Sequence, residues 1–497
     1  VVGAPCINLS SMYGTYDIGV RFGEVQWGGQ RKDALDAFLE HSPLTYAANV
    51  ETPVLLLHGE ADVRCPIEQS EQYFVALKRL GKEVEMVRFP GESHSLTSSG
   101  HPRMREEYHA RMKLDGIRVL DLTQFLPGPF LTQMMADHGA EVVKVEHPRR
   151  PEPTRTIGSE RGGVSVYFAA TQRGKRSLTL DLKTAHGREV FMKLAERCDV
   201  VVESFRPGVV GRLGVDYEAV RAVKGDIVYA SISAFGQDGP WKDRPAHDLA
   251  VSAMSGVLAN SRDESGRPVI PGLVAADMLS ATLALGAIAM ALLRRERTGE
   301  GDYVDLAMMD SLLAASANNV GPVFAEGVAP RSGSERLLGG AAMYQIYETS
   351  DGAHVVLAGT EAKFAQNLFR ALDREDLAEI CEQPPGAEQR SAMEFLRELF
   401  KTRTQAEWVQ WFEPLDVCFA PVNDLRQGFD HPQASSRDML LKDEQGHEHI
   451  GVPIKFAREP AQPRLHAPAH GEHTDSILRE LGYEPSEIAD LRERGIV

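Results

Sequence analysis

Cysteine is scarce in this chain of 497 residues: there are five, Cys6, Cys65, Cys198, Cys381 and Cys418, each far from the next. With no C-x-x-C and no even framework, the chain is neither a disulfide scaffold nor a zinc protein, and a reducing, cytoplasmic setting is expected. Positive charge is also short. Lys and Arg total 54 against 71 Asp and Glu, a net charge of -17. That balance argues against a nucleic-acid or anionic-membrane partner, because binding phosphate over a wide area needs a basic face. Any phosphate-bearing ligand must meet a local cluster of cations. Long apolar runs are missing too. The longest, Met278 to Leu293, has 16 uncharged residues and ends in Arg294-Arg295, below the roughly 20 needed to span a bilayer. A buried core helix and no membrane span are expected. No signal peptide is legible in the residues given, which open on Val1-Val2. Repeats and low-complexity tracts are absent as well. What remains is the composition of a globular protein, 43% hydrophobic and 25% charged, with about three domains' worth of chain at roughly 150 residues each.

The chain changes character near residue 112. Before it, Pro53-Val54-Leu55-Leu56-Leu57 reads as a strand breaking into His58-Gly59-Glu60. A helical pattern spans Ile67 to Leu80, and Val84 to Phe89 is a second strand. After it the alternation starts afresh: strand at Ile117 to Leu122, helix from Pro127 to about His138, strands at Glu141–Glu146, Val200–Glu203 and Asp226–Ile232. Such βαβ order predicts a mainly parallel sheet covered by helices on both faces. The junction, His109 to Leu114, carries no Gly/Ser/Pro linker, so two folds abut directly, and Met112 is a candidate start for the second.

The first segment carries Leu57-His58-Gly59-Glu60-Ala61-Asp62, then Arg64-Cys65-Pro66 and Pro90-Gly91-Glu92-Ser93-His94. It resembles the C-terminal part of a prolyl-oligopeptidase-family serine peptidase. The resemblance implies a partial α/β-hydrolase over residues 1–112, with Asp62 as orienting acid and His94 as general base after successive late strands. The nucleophile Ser of a G-x-S-x-G turn should precede them, and no such pentapeptide occurs in the chain. Without it no acyl-enzyme can form, so this segment is expected to be an inactive remnant.

From Leu114 onward six blocks stand in order: Leu114 to Asp121, Gly174 to Lys183, Glu203-Ser204-Phe205-Arg206-Pro207-Gly208, Arg297-Thr298-Gly299-Glu300-Gly301, Ala420-Pro421-Val422-Asn423 and Gly471-Glu472-His473-Thr474. Together they resemble the class III CoA-transferase family, which includes carnitine, bile-acid and formyl-CoA transferases and 2-methylacyl-CoA racemases. The resemblance implies coenzyme A as acyl carrier and no metal. It also implies a Rossmann-like α/β large domain at 113–325, an inserted smaller α+β domain at 326–440 and a return segment at 441–497. Further implied are an interlocked homodimer, an acyl-CoA substrate with a carboxylate acceptor, and Phe125, Leu180, Lys183, Phe205 and Arg212 beside the nucleotide. Because CoA carries phosphates, an acidic protein must supply cations locally, and two clusters offer them: Arg173, Lys175, Arg176 and Lys183, and Arg206 with Arg212. Gly128 permits close backbone approach at a helix start.

The chemistry is expected at Asp277, which opens the apolar helix. There it is a natural N-cap, worth about 1 kcal/mol, and the helix terminus would favour the ionised carboxylate. In transferases of this family the Asp at this position attacks the thioester, giving a mixed anhydride and then an aspartyl-CoA thioester. A second reading stays open. His247, in Arg244-Pro245-Ala246-His247-Asp248, and Glu361, in Gly359-Thr360-Glu361-Ala362-Lys363-Phe364, match the racemases' catalytic pair. With Asp277 opposite, they would supply the two bases that racemisation needs. Leu338 to Tyr344 also resembles the racemase version of its loop. Leu249-Ala250-Val251 and Met278-Leu279-Ser280-Ala281 depart from the racemase pattern around the acyl pocket.

Overall fold

The computed structural model describes residues 2–3, 5–13, 15, 30, 34–94, 112–263 and 265–497. Two compact units divide them, one formed by residues 1–113 with 456–459 and the other by the rest.

In the first unit, β1 (Val2–Gly3), β2 (Val54–Gly59) and β3 (Val84–Phe89) form a three-stranded parallel sheet. Helix α1 (Glu68–Arg79) connects β2 to β3. Its Tyr73 and Leu77, four residues apart on one face, close a small core with Ile7, Ala47, Leu56 and Val84. The run Val54 to Gly59 is buried nearly throughout, as expected of a central parallel strand.

The second unit is built on six parallel strands: β4 (Arg118–Asp121), β5 (Glu141–Glu146), β6 (Arg176–Thr179), β7 (Val200–Glu203), β8 (Val228–Ser233) and β9 (Asp302–Ala307). Their order across the sheet is β9-β8-β7-β4-β5-β6, every neighbour parallel. This is the doubly wound order, in which the winding reverses between the first and fourth strands. That reversal opens a crevice at the carboxyl ends of β4 and β7. One face of the sheet packs on α2 (Pro127–Asp137) and α3 (Ala275–Thr298) through Leu131, Met135, Ala281, Ala284 and Ile288. The other packs through Leu120, Val143, Leu178 and Phe191. Ile477, Leu478, Ile488, Leu491 and Ile496 come back from the end of the chain to finish that second core. The Asp181 amide donates to the Ile496 carbonyl at 2.8 Å, tying the last residues to the loop after β6.

The apolar helix is longer than the Met278–Leu293 run suggests. It covers 24 residues and is long and apolar enough to cross a membrane by those criteria alone. Its small residues Ala276, Ala281 and Ala284 lie against protein, and its basic last turn carries Arg295, paired with Asp199 at 3.0 Å. The expected burial holds on one side only: Ala281, Ala284 and Ile288 pack in the core, while Leu283, Met290 and Leu293 are exposed.

A separate core forms later in the chain. β10 (Tyr344–Glu348), β11 (His354–Ala358) and β12 (Phe419–Pro421) make an antiparallel sheet. Phe364, Leu368, Leu396, Phe400, Trp408 and Phe412 pack on it. The helix Ala362–Ala371 places Phe364 and Leu368 four residues apart on its buried face.

Candidate active site

The loop after β4 enters the crevice first. Thr123 to Leu126 is anchored at three consecutive residues. The Thr123 carbonyl accepts from Lys144 Nζ. The Gln124 amide donates to Ser204 Oγ at 3.0 Å, and the Phe125 amide donates to Glu152 Oε1 at 2.9 Å. Phe125 sits at φ +66°, a left-handed conformation that a bulky residue rarely adopts. The anchors at its own amide and at the two residues before it hold it there. Helix α2 then starts so close to the loop that a Cβ on Gly128 would lie 2.2 Å from Thr123 Cγ2. The close approach expected at Gly128 is therefore made by a protein side chain.

Beneath the loop lies a buried polar network. Asp121 accepts from Thr123, Thr132 and Lys175, the last at 2.9 Å. Burial alone would raise its carboxyl, yet Lys144 and Lys175 hold it well below the ordinary range. Burial brings Lys175 down to about 8. Arg173 is buried and pairs with Asp137 at 2.8 Å, while Arg176 reaches Glu141 and Glu480, each at 2.6 Å. Three of the four residues expected to form a phosphate cluster, Arg173, Lys175 and Arg176, are thus neutralised internally. They brace the sheet.

Lys183 is different. It is exposed, and with Leu180 and Phe205 it lines a cleft of about 390 Å³ at the carboxyl ends of β4, β5 and β6. Arg150 and His147 join it there, two residues to which no motif drew attention. Arg212 is not among the lining residues, although Val209 and Leu213 of its short helix are. Nor is Phe125. Its ring lies edge-on to His247 at 5.7 Å between centroids, so it packs against His247 and does not line the cation-rimmed cleft.

Asp277 lies in the first turn of α3. It is not the N-cap. The helix begins at Ala275, and the capping carboxylate comes from Asp248, whose Oδ1 accepts from the Ala276 and Asp277 amides at 2.6 and 3.2 Å. The expectation of a readily ionised Asp277 is also overturned. Burial, then the charge of Asp248, pushes its carboxyl up to about 7. With the capping amides already taken by Asp248, the helix terminus does little for Asp277. Nearby, burial and then the charges of Asp277 and Glu152 raise Tyr167 to about 12. Asp248 and Tyr167 are thus neighbours of the Asp277 carboxyl. The sequence hinted only at the first, through its place after His247.

His247 precedes the short helix Asp248–Met254 and is exposed. Glu361 is exposed just before the helix Ala362–Ala371. Among the described residues no hydrogen bond or ion pair within the chain joins Glu361 to His247 or Asp277. The structure brings His247, Phe125, Asp248 and Asp277 into one region and leaves Glu361 outside their contacts.

In the first unit, His94 Nδ1 hydrogen-bonds Asp62 Oδ2 at 3.0 Å, with Asp62 buried and His94 exposed. The Asp62 Oδ1 accepts from the Arg64 and Cys65 amides. Among the described residues no Ser hydroxyl bonds to His94.

Residues 1–113 match the prolyl oligopeptidase family, and residues 114–474 match CoA-transferase family III. Human succinyl-CoA:glutarate CoA-transferase is 32% identical over 400 residues, covering 77% of this chain and 90% of that protein. Mouse alpha-methylacyl-CoA racemase is 33% identical over 393 residues, covering 78% and 98%. A CAIB/BAIF family protein from Brucella suis superposes with a TM-score of 0.66 at 31% identity, covering 74% of this chain and 99% of that one. With a doubly wound sheet, a cleft at its switch point and a family match over most of its length, this chain belongs to CoA-transferase family III.

Proposed function

We propose that the chain transfers CoA between an acyl thioester and a carboxylate, with Asp277 as the covalent nucleophile. The observation that carries this reading is the largely buried Asp277 carboxyl at the start of α3, raised to about 7. A carboxylate stripped of water is a better nucleophile than one in bulk solvent. Its oxygen attacks the thioester carbonyl, the carbon–sulfur bond breaks, and CoA leaves as the thiolate from a mixed anhydride. The thiolate returns to the Asp277 carbonyl, releasing the first acid and leaving an aspartyl-CoA thioester. The acceptor carboxylate then repeats the two steps in reverse, and Asp277 is regenerated. Lys183 and Arg150 at the cleft would hold the phosphates. The family's interlocked homodimer is part of this reading. It is supported by Leu283, Met290 and Leu293, exposed on one face of α3, and by exposed Ile270 and Phe324.

A 2-methylacyl-CoA racemase is the second reading. A carboxyl titrating near 7 suits a general acid–base at neutral pH, and His247 stands in the same region. The N-terminal unit, in which Asp62 and His94 are hydrogen-bonded and no Ser hydroxyl bonds to His94 among the described residues, is read as a serine-peptidase remnant.

The test uses the full chain with succinyl-CoA and glutarate, the pair in the human relative's name. Glutaryl-CoA should form, fall by at least about a thousandfold in Asp277→Asn, and persist in His247→Ala. Incubation with a 2-methylacyl-CoA in deuterium oxide reads the other outcome. Exchange at the α-carbon that is lost in both variants makes the protein a racemase. Absence of both activities across short-chain and branched acyl-CoA substrates overturns the proposal.

A further inference from the structure

Five cysteines scattered along the sequence do not remain scattered in the fold. Cys6, just after β1, and Cys65, in the turn between β2 and α1, are 59 residues apart, yet their sulfurs lie 2.8 Å from each other. Cys6 is exposed and Cys65 is buried. The Cys65 backbone and the residues that follow Cys6 are held by hydrogen bonds. The Cys65 amide donates to Asp62 Oδ1 at 2.8 Å, and its carbonyl bonds to the ring of buried His58 at 2.6 Å. On the other side, Gln69 Oε1 accepts from the Ile7 and Asn8 amides at 3.1 and 2.7 Å, and the Asn8 side chain donates to Gln72. A small sulfur movement would bring the pair to the roughly 2.05 Å of a disulfide.

We propose that Cys6 and Cys65 are a hydroperoxide-oxidisable dithiol, with Cys6 the attacking thiol and Cys65 the resolving one. The Cys65 thiol, donating to Cys6, outweighs the opposing effect of burial and, with the charge of His94, brings Cys6 down to about 7, so much of it is thiolate at neutral pH. The thiolate attacks a peroxide oxygen. The sulfur–oxygen bond forms, the oxygen–oxygen bond breaks, and the leaving hydroxide or alkoxide takes a proton. Cys65 sulfur then attacks the Cys6 sulfenic acid. The disulfide forms, the sulfur–oxygen bond breaks, and the second oxygen departs as water with the Cys65 proton. The two thiols lose two electrons and the peroxide gains them. The product would lock the loop whose amide holds Asp62, the partner of His94. Proximity of the second thiol also diverts Cys6 from irreversible oxidation.

The full chain is treated with a small excess of hydrogen peroxide, its remaining thiols are alkylated, and tryptic peptides are mapped. Two of the five thiols should be lost and regained with a reductant, and the peptide ending at Arg21 should be linked to the one beginning at Cys65. In Cys65→Ser the link disappears and Cys6 accumulates a dimedone-reactive sulfenic acid. Three results overturn the proposal: Cys6 oxidised to sulfinic acid beside a free Cys65 in the unsubstituted chain, the lost thiols mapping to Cys198, Cys381 or Cys418, or Cys6 reacting no faster than free cysteine.

Discussion

At the scale of single residues, Asp277 has the sharpest consequence. Its carboxyl is raised to about 7 by burial, with Asp248 adding to the effect, so the neutral form is favoured in the folded protein. The associated stability is full below the ordinary carboxyl range and is lost as pH rises through about 7. Asp277→Asn should therefore be more stable than the unsubstituted protein at about pH 8, by roughly 2 kcal/mol after allowing for partial exposure, and nearly equal to it at about pH 4. Urea unfolding at the two pH values measures this. The same carboxyl must be ionised to attack, so kcat/KM for CoA transfer should fall about tenfold per pH unit well below 7. Asp277 could be proposed as the reactive residue from the sequence because a lone carboxylate opens an apolar helix in a recognisable block. Its capping role was misassigned because the true cap, Asp248, is 29 residues away in sequence and meets the helix only through the fold. Tyr167 could not be foreseen at all. It acquires meaning only through the two carboxylates that influence it.

At the scale of elements, the strands were readable because buried parallel strands are short apolar runs between turn signals. Glu141–Glu146 and Val200–Glu203 fall where the pattern puts them. The cations were not readable in the same way. Arg173, Lys175 and Arg176 look like a phosphate cluster in sequence, but their carboxylate partners Asp137, Asp121, Glu141 and Glu480 arrive from other elements. Ion pairing across the sheet, which a linear reading does not carry, decides which cations are free. Lys183 and Arg150 remain at the cleft. Replacing either with Ala should raise KM for the acyl-CoA about tenfold and leave kcat nearly unchanged, because phosphate binding is shared by ground and transition states. Raising the ionic strength should weaken acyl-CoA binding less in the variants than in the unsubstituted protein. Steady-state kinetics at two salt concentrations checks both. Arg173→Ala, in contrast, would break a buried pair and is expected to act on stability.

At the scale of the molecule, the sequence reading changes from one resemblance to the other at 112–113, and the two family matches meet at 113–114. The order of the six strands was beyond sequence reasoning. Alternation of strand and helix restricts the topology to parallel crossovers, while the point of reversal depends on which edges later strands find. The exposed apolar face of α3 bears on assembly. Leu283, Met290 and Leu293 lie at spacings of seven and three residues along one side of a helix. Light scattering after size exclusion should give a mass twice that of the chain, and Met290→Asp should shift it towards the monomer while leaving the circular dichroism unchanged.

The return of residues 474–497 to the six-stranded sheet also fixes the order in which this protein can acquire structure during synthesis. Ile477, Leu491 and Ile496 share one core with Leu120 of the sheet's opening strand, so that core stays incomplete until nearly four hundred further residues have left the ribosome. The antiparallel unit around Phe400 and Trp408 draws its core from one continuous stretch, residues 342–412, and can form while the parallel sheet still waits. In the interval one face of that sheet is unsealed. A translation pause or a nonsense codon within the last thirty or so residues would thus leave an apolar face for chaperones to shield, even though every residue of the proposed catalytic machinery had already been made.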